Sequence, residues 1–505
     1  MAETVNLASL LSNAATWFPD RPAVTWGAET ITYRQLNDRV VALDRWLHSQ
    51  GVGRDSRVAV YMDNRPEFLV AMFGTWRSGA ALVPCNVRLT TEELSFLVAD
   101  SETAVVITDE LHEATARAAA GGATVCVAGP ELHAILGTED TGATEAASGP
   151  ADVEPDDLAW LFYTSGTTGQ PKGAMLSHAT LTFVTVSWLA DLTPLDETDV
   201  TLHAAPLSHG AGFHALAATA RAAHQVIPES ASFEPGRILE LIRGHGVTNT
   251  WMVPTQIVML TEAAPADPAL PSLRFVVYGG APMTPAATER ALRKFGPIFV
   301  QLYGQGETPM TATVLRREDH RPELFGSAGR ARPGVEIAIE GADGTHLPPG
   351  EVGEVVVRGA PVMSGYWRRP DATAEALRGG WLHTGDLGRL TDDGILYLLD
   401  RTKDMIISGG SNVYAVEVEQ VLSAHPDVGD VAVIGVPDDL WGEVVVAVVV
   451  PAGRDLDVAA LEQHCRASLA GYKIPRRWVE VESLPRNAYG KVVKRDLRSR
   501  LDATV

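Results

Sequence analysis

The residues best suited to chemistry are concentrated in one stretch of eleven residues, Tyr163 to Gly173, which reads Tyr-Thr-Ser-Gly-Thr-Thr-Gly-Gln-Pro-Lys-Gly. An apolar run from Leu158 to Phe162 precedes it and predicts a short buried strand. Glycines let backbone N–H groups approach a ligand closely, hydroxyls add donors, and Lys172 adds a positive charge. Together these groups suit an anion with many oxygen atoms, above all a polyphosphate.

A flexible linker is the alternative interpretation of this stretch. Linkers seldom place a lysine between a proline and a glycine directly after a buried strand. The stretch also differs from the common nucleotide loop, in which Gly-Lys is followed by Ser or Thr, because Lys172 lies between Pro171 and Gly173. The sequence therefore predicts a phosphate loop of another kind.

Four further clusters add carboxylates and cations, although each alone is typical of an ordinary turn or linker. His383–Asp386 is a Thr-Gly-Asp turn, and Asp400–Asp404 is a charged junction that leads to Ser408–Gly410. Tyr303–Glu307 offers a carboxylate after a predicted strand, where a phosphate-bound Mg²⁺ would find a ligand. Gly490-Lys491 presents a lysine near the C-terminus.

Strands that alternate with helices must position these groups. Such alternation predicts a parallel sheet with helices on both faces, in which ligands bind beyond the carboxyl ends of the strands. From Gly326 to Asp400 short strands broken by glycine and proline predict a small antiparallel β unit, and a separate α+β module follows. The predicted strands are Arg57–Met62, Ala81–Pro84, Ala104–Asp109, Thr124–Ala128, Gln225–Pro228, Thr248–Val253, Arg274–Tyr278, Ile298–Leu302, Gly353–Arg358 and Val444–Val450, and the predicted helices include Pro66–Trp76, Val416–Ala424 and Ala459–Ala470.

Composition limits the partners. The chain of 505 residues is long enough for two to four domains, and its net charge of −22 argues against nucleic acid as a partner. We expect no integral membrane segment and no secretory signal, and the three scattered cysteines show no disulfide or metal spacing. A reduced cytoplasmic enzyme is the expectation, and the sequence leaves open whether it forms a homodimer.

In combination and in order, the five motifs resemble the adenylate-forming superfamily of acyl- and aryl-CoA synthetases, peptide synthetase adenylation domains and beetle luciferases. The resemblance covers essentially the whole chain. It implies a large N-terminal domain of parallel α/β sheets (residues 1–400, with the β unit at about 326–400), a hinge at 401–403 and a smaller mobile α+β lid domain at 404–505. It also implies an AMP-forming ligase that uses ATP, Mg²⁺ and coenzyme A.

The resemblance further implies roles for individual residues. Lys491 would bridge the substrate carboxylate and the α-phosphate, His209 would close the acyl pocket, and Glu307 would bind Mg²⁺. Lys403 would be the hinge about which the lid domain rotates. The residues implied for ATP and AMP are Thr164, Ser165, Gly166, Thr167, Thr168, Gly169, Lys172, Gly280, Ala281, Pro282, Tyr303, Gly304, Asp386, Arg401 and Lys491; those for CoA are Ser408, Gly409 and Gly410; and those for the acyl pocket are His209, Trp251, Tyr278 and Met310.

One position departs from the family pattern. The family usually has a threonine directly before the acidic residue of the Tyr-Gly turn, where it touches the α-phosphate, and this chain has Gly306. Either Thr308 or a water molecule then supplies the missing donor, or adenylation is slower.

The predicted function is activation of a carboxylic acid, preferably a medium-chain fatty or an aryl acid, followed by acyl transfer to CoA. The bulky Trp251, Tyr278 and Met310 favour such acids over acetate, although they could equally be packing residues. An amino-acid or carrier-protein adenylating enzyme is the alternative, and Pro206–Phe213 lacks the aspartate that would hold a substrate amine. A silent nucleotide-binding relative is a third interpretation, against which Glu307 and Asp386 argue.

Overall fold

The computed structural model describes residues 6–129, 132, 134–135, 149–164, 171–401, 404–408, 411–438, 442–453, 456–486 and 492–502. Its helices are α1 (Ala8–Trp17), α2 (Tyr33–Ser49), α3 (Pro66–Arg77), α4 (Thr91–Asp100), α5 (Glu113–Ala119), α6 (His178–Asp191), α7 (Gly210–Ala220), α8 (Pro235–His245), α9 (Pro254–Ala263), α10 (Pro285–Phe295), α11 (Pro370–Ala376), α12 (Ala415–Ser423), α13 (Val458–Ser468) and α14 (Lys494–Asp502).

The strands of the first half are β1 (Pro22–Trp26), β2 (Glu29–Thr32), β3 (Arg57–Tyr61), β4 (Ala81–Pro84), β5 (Val105–Asp109), β6 (Thr124–Ala128), β7 (Leu158–Thr164), β8 (Lys172–Ser177), β9 (Val200–Leu202), β10 (His224–Ile227) and β11 (Asn249–Met252). Those of the second half are β12 (Phe275–Tyr278), β13 (Phe299–Tyr303), β14 (Thr313–Leu315), β15 (Arg330–Ala331), β16 (Val335–Glu340), β17 (Gly353–Gly359), β18 (Leu382–Leu390), β19 (Leu396–Arg401), β20 (Ile406–Ser408), β21 (Ser411–Val413), β22 (Val428–Asp438), β23 (Gly442–Pro451) and β24 (Arg477–Glu480).

Two largely parallel sheets form the framework of the first 330 or so residues. A six-stranded sheet has the order β6-β5-β3-β4-β7-β8, and only β8 in it runs antiparallel to its neighbour. A nine-stranded sheet has the order β15-β14-β13-β12-β11-β9-β10-β1-β2, parallel from β13 to β1. Parallel strands end at one edge, so the turns after β9, β11, β12 and β13 lie at the same edge.

Burial explains why the inner segments fold as they do. Every residue of α3 and of β4 is buried, as apolar helices and strands between covered layers must be. Exposed helix ends rely on local capping instead. Thr32 caps the N-terminus of α2: its hydroxyl accepts from the Gln35 backbone N–H, while the Gln35 side chain accepts from the Thr32 N–H.

Two smaller sheets follow. Strands β16, β17, β18 and β19 form an antiparallel sheet in that order. The last sheet contains β20 to β24, with β23 paired to β20, β22 and β24. The mixed α/β class, the parallel sheets and the small antiparallel unit predicted from the sequence are thus confirmed, whereas the domain boundaries and the hinge stay predictions.

The edge of the six-stranded sheet is covered by a later part of the chain. Residues 364–367 pair with the outer edge of β8. The Met175 N–H donates to the Gly365 carbonyl, the Ser364 N–H donates to the Met175 carbonyl, and the Trp367 N–H donates to the Gly173 carbonyl. Unpaired edge strands expose backbone donors and acceptors, which this segment satisfies. It thereby brings Tyr366 next to the start of β8.

Helix α7, which carries His209 at its N-terminal end, is fixed by a buried histidine. The ring of His214 stacks on Trp188 of α6 with the centroids 4.9 Å apart, and the ring of His203 lies edge-on to it at 5.9 Å. Burial lowers the pKa of His203 to about 4 and that of His214 to about 3, so both are neutral in the folded protein near pH 7.

Because these two histidines are buried in the neutral form, we expect the free energy of unfolding to fall in mild acid. Because their folded pKa values lie below the ordinary 6.5, the unfolded chain takes up more protons as the pH falls, and the stability contributed by the neutral rings is lost between about pH 6.5 and 4. His214→Phe keeps a ring on Trp188 and removes one titrating group. The urea midpoint of this variant should therefore fall less between pH 7 and pH 5 than that of the wild type; an equal fall would contradict the assignment.

Candidate active site

The carboxylate of Glu307 lies where the two large sheets meet. Glu307 follows the end of β13 and is 7% exposed. The hydroxyl of Thr164, at the end of β7, donates to Glu307 Oε1 over 2.9 Å. The Tyr366 hydroxyl donates to the same oxygen over 2.8 Å. The turn after β13 is thus joined to the six-stranded sheet and to the segment that covers its edge.

This arrangement fits a hard cation such as Mg²⁺. Two hydroxyl donors hold Oε1, while no residue in the described part of the chain donates to Oε2. Mg²⁺ is commonly bound through one or two carboxylates together with substrate phosphates and water. Glu307 could therefore offer Oε2 to a cation that arrives with a polyphosphate.

Lys172 contacts the tyrosine that donates to this carboxylate. It is the first residue of β8 and stands opposite Thr164 in the antiparallel pair β7–β8, so the phosphate-loop stretch connects these two positions. Its Nζ lies 5.2 Å from the centroid of the Tyr366 ring, within the range of a cation–π contact. The predicted phosphate lysine and the predicted metal carboxylate thus contact one tyrosine.

A second carboxylate, Asp386 of β18, is held by the same turn. The Tyr303 hydroxyl donates to Asp386 Oδ2 over 2.7 Å, and Gln305 Nε2 donates to that oxygen over 2.8 Å. Gln305 also donates to the Thr384 carbonyl. Arg401 stands opposite Asp386 in the β18–β19 ladder. Asp386 and Tyr303, both predicted to bind ATP and AMP, are therefore in direct contact.

Glu354 holds the turn that carries Asp386 through contacts with Gly385 and His383. Glu354 Oε1 accepts from the Gly385 N–H at 2.9 Å, and Oε2 lies 3.0 Å from His383 Nδ1. Arg378 also donates to Glu354 Oε2 at 3.0 Å. Because the Arg378 guanidinium already binds this carboxylate, we interpret Glu354 and His383 as residues that support the turn and not as a cation site.

An aromatic wall adjoins the Glu307 turn. His209 lies edge-on to Phe162, with centroids 5.4 Å apart, and Phe162 stacks with Phe213 at 5.9 Å. Burial lowers the pKa of His209 to about 4, so its imidazole is neutral at physiological pH. A Cβ on Gly210 would lie 2.6 Å from Trp251 Cζ2 and 2.9 Å from Met310 Sδ, so these two side chains close against the start of α7. His209, Trp251 and Met310 are therefore neighbours, and their role in an acyl pocket stays a prediction.

The position of Tyr278 differs from its predicted place in the acyl pocket. Neighbouring residues of a strand face opposite sides, and Val277, opposite Trp251 in the β11–β12 pair, packs in the same core as Trp251. Tyr278 packs in the other core, edge-on to Phe299, and its hydroxyl lies 3.1 Å from His320 Nε2. The prediction that Tyr278 lines the pocket with Trp251 and Met310 was wrong.

Gly306 allows two side chains to approach the Glu307 turn. A Cβ at position 306 would lie 2.5 Å from Thr164 Cγ2 and 2.6 Å from Phe162 Cδ1, closer than real Cβ contacts. The side chain of a threonine here would therefore need the space that Thr164 and Phe162 occupy. The Thr308 hydroxyl is buried and accepts from the Gln305 N–H at 3.1 Å, so it holds the turn. The Cγ2 methyl of Thr164 lies in that space, while the Thr164 hydroxyl donates to Glu307.

The remaining predicted residues are placed as follows. Gly280, Ala281 and Pro282 form an exposed turn after β12, with Gly280 at a φ of +80°. Gly304 begins the turn after β13, and Ser408 is buried at the end of β20. The residues that lie outside the described part of the chain are Ser165, Gly166, Thr167, Thr168, Gly169, Lys403, Gly409, Gly410 and Lys491.

Four residues that contribute to the site were not predicted from the sequence: Phe162, Gln305, Glu354 and Tyr366. Gln305 lies inside a turn already singled out and could have been noticed as a donor beside Glu307. Glu354 and Tyr366 act at long range, since Tyr366 is 59 positions from Glu307. No local pattern points to such a contact.

Comparison with known proteins decides the family. Residues 11–367 match the AMP-binding enzyme family and residues 417–491 match the AMP-binding enzyme C-terminal domain. The chain belongs to the AMP-binding enzymes. This confirms the resemblance drawn from the motifs.

Among the described residues, no helix has both the length and the apolar character needed to cross a membrane.

Individual relatives are similar to this chain over nearly their full lengths. Feruloyl-CoA synthase of an Amycolatopsis species is 40% identical over 95% of this chain and 96% of its own. The fatty acid–[acyl-carrier-protein] ligase ScoC of Streptomyces coeruleorubidus is 36% identical over 95% of this chain and 94% of its own. The crystal structure of ATP-bound MatB from Rhodopseudomonas palustris superposes with a TM-score of 0.89 at 32% identity, covering 98% of this chain and 99% of that one.

The contacts at Gly306 predict that even alanine is poorly tolerated there. Gly306→Ala should weaken ATP binding by about tenfold or more, because its Cβ must displace Thr164, which holds Glu307. Adding Thr164→Ser, which keeps the hydroxyl and removes Cγ2, together with Phe162→Leu should restore most of the affinity. Titration calorimetry with Mg·ATP measures both effects, and an unchanged affinity in Gly306→Ala would contradict this role for the glycine.

Proposed function

We propose that this protein is an AMP-forming carboxylate–CoA ligase whose preferred substrate is an aryl carboxylic acid. Membership of the AMP-binding enzymes supports the reaction type, and the relatives named above include a CoA synthase for an aryl acid. A medium-chain fatty acid is the next candidate, because another relative is a fatty acid ligase.

The observation that carries the proposal is the position of Phe162. One edge of its ring stands against Gly306, next to Glu307, and the ring also contacts His209. The group of Lys172, Glu307 and Tyr366 is suited to a metal-bound polyphosphate, and the group of His209, Trp251 and Met310 is suited to an apolar acyl chain. Phe162 borders both, which supports a reaction between an acid and a nucleotide phosphate at this boundary.

In the first step, a carboxylate oxygen of the acid attacks the α-phosphorus of ATP and the bond to the bridging oxygen of pyrophosphate breaks. Two unit negative charges 4 Å apart repel by about 4 kcal/mol at an effective dielectric constant of about 20. Lys172 and Lys491 would offset this repulsion with their positive charges. Mg²⁺ bound through Glu307 would neutralise charge on the phosphate oxygens. No general base is required, since the acid is already ionised.

The adenosine part would be held by the second carboxylate. Asp386 would accept hydrogen bonds from the ribose hydroxyls, with Arg401 opposite it in the ladder and the Tyr303 ring beside the adenine. Gly280, Ala281 and Pro282 would border the base on its exposed side. Gln305 and Glu354 would keep this carboxylate and its turn in place.

In the second step, the sulfur of CoA attacks the acyl carbon, the bond to AMP breaks, and the thiol proton passes to solvent. His209 is neutral at physiological pH, so it adds no charge that would hold the leaving AMP anion. A lid rotation about Lys403 would withdraw Lys491 and present Ser408, Gly409 and Gly410 to CoA.

A cytoplasmic location and association into a homodimer stay predictions.

The aromatic lining favours a planar acid over a flexible chain. Phe162 is only partly buried, and its ring beside His209 suits offset or edge-to-face packing with an aryl group. The close contact of Trp251 and Met310 with Gly210 leaves little room for a long alkyl tail in that direction.

The test is a screen of ATP–pyrophosphate exchange and of CoA-dependent AMP release with benzoate, cinnamates, octanoate, palmitate and acetate. We expect both activities with an aryl acid, and kcat/KM at least about tenfold higher than with octanoate, because ring packing adds about 1 kcal/mol or more. Exchange without AMP release on CoA, but with transfer to a phosphopantetheinylated carrier protein, would favour the carrier-protein alternative. No exchange with any acid would overturn the proposal.

A further inference from the structure

Tyr366 contacts both charged groups of the phosphate side. Its hydroxyl donates to Glu307 Oε1 over 2.8 Å, and its ring lies under Lys172 Nζ at 5.2 Å. The side chain is half-buried.

The backbone of Tyr366 is held firmly by its neighbours. Position 366 forms an antiparallel bridge with Ala174 of β8, and its N–H donates to Thr373 Oγ1 over 2.9 Å. The adjacent Trp367 donates from Nε1 to the Asp100 carbonyl over 3.0 Å. A tyrosine fixed on both sides can itself fix the groups that it contacts.

The hydrogen bond sets the orientation of the carboxylate. Thr164 and Tyr366 both donate to Oε1, and the Met363 N–H donates to the Glu307 carbonyl over 2.8 Å. A carboxylate with two donors on one oxygen presents its other oxygen in a defined direction. Groups that hydrogen-bond a metal ligand in this way commonly change metal affinity by about 10- to 100-fold when removed.

An ionised carboxylate can only accept hydrogen bonds, so the Tyr366 hydroxyl is the donor in its bond to Glu307 Oε1. The ring face, which carries partial negative charge, stays available to the Lys172 ammonium.

We propose that Tyr366 is a positioning residue that aims Glu307 Oε2 at the metal of Mg·ATP and holds Lys172 over its ring towards the phosphates. This inference rests on the proposed function, because it takes Glu307 as the metal ligand and Lys172 as a phosphate ligand. It assigns to one side chain two separable effects, one through the hydroxyl and one through the ring.

The first test is Tyr366→Phe, which removes the hydroxyl and keeps the ring. The readout is the dissociation constant of Mn²⁺, followed by electron paramagnetic resonance in the presence of α,β-methylene-ATP, which cannot release pyrophosphate. We expect about tenfold weaker Mn²⁺ binding, with the inhibition constant of pyrophosphate changed less than twofold. Steady-state assays should show a higher Mg²⁺ requirement and little change in kcat at saturating Mg²⁺.

Tyr61→Phe is the matched control. Tyr61 is a buried tyrosine of β3 in the six-stranded sheet, and its hydroxyl donates to the carbonyls of Val87 and Leu89. It should lose stability without changing Mn²⁺ binding. If Tyr366→Phe binds Mn²⁺ as tightly as this control, the hydroxyl does not position the metal ligand and the inference fails.

Tyr366→Leu is the second test, because it removes the ring as well. We expect the loss of Mn²⁺ affinity seen in Tyr366→Phe and, in addition, a several-fold weaker inhibition by pyrophosphate, since Lys172 loses its aromatic contact. An inhibition constant equal to that of Tyr366→Phe would remove the role assigned to the ring. Thermal melts of all variants separate these effects from misfolding.

The proposed function and the positioning role of Tyr366 can be refuted separately. A wild-type protein without pyrophosphate exchange on any acid refutes the proposed function, whatever the variants do. A wild-type protein that exchanges pyrophosphate, combined with unchanged Mn²⁺ binding in Tyr366→Phe, refutes only the inference about Tyr366.

Discussion

The site depends on the way one buried carboxylate is held. Glu307 accepts hydrogen bonds from Thr164 and Tyr366 on a single oxygen, and these three residues come from the turn after β13, the end of β7 and the segment that covers β8. A buried carboxylate is costly unless hydrogen bonds and opposite charge compensate it. The same hydrogen bonds also join the two large sheets, so the geometry of the phosphate side and the packing of the sheets are one structural feature.

The rest of the arrangement follows from this constraint. Thr164 can reach Glu307 because Gly306 has no side chain, and Phe162 fills the adjoining space and continues into the wall formed with His209. Asp386 is held by Tyr303 and Gln305 from the same turn. At Gly306, where the family usually has a threonine, the Cγ2 methyl of Thr164 and the ring of Phe162 therefore occupy the space that a side chain would need.

Much of the framework was accessible from the sequence, because apolar runs followed by glycine-rich turns mark buried parallel strands. Strands such as β4 and β6 agree with their predicted bounds, and the turns after β12 and β13 lie at the carboxyl ends of parallel strands, as expected. That these turns bind ligands stays a prediction. The failures have physical causes. Tyr278 was assigned to the pocket by its size, but side chains alternate along a strand and it faces the opposite core. Tyr366 and Glu354 reach the site through tertiary pairing, which no local pattern encodes.

The chemistry that this geometry supports is displacement of pyrophosphate by a carboxylate oxygen, and that claim is tested most directly by following the oxygen. The enzyme is supplied with an acid labelled with ¹⁸O in its carboxyl group, together with ATP and CoA, and the products are analysed by mass spectrometry. The account predicts one ¹⁸O atom in the phosphate of AMP, because the attacking oxygen stays with AMP when the thiol displaces it. Label in pyrophosphate or inorganic phosphate, or AMP without label, would contradict it.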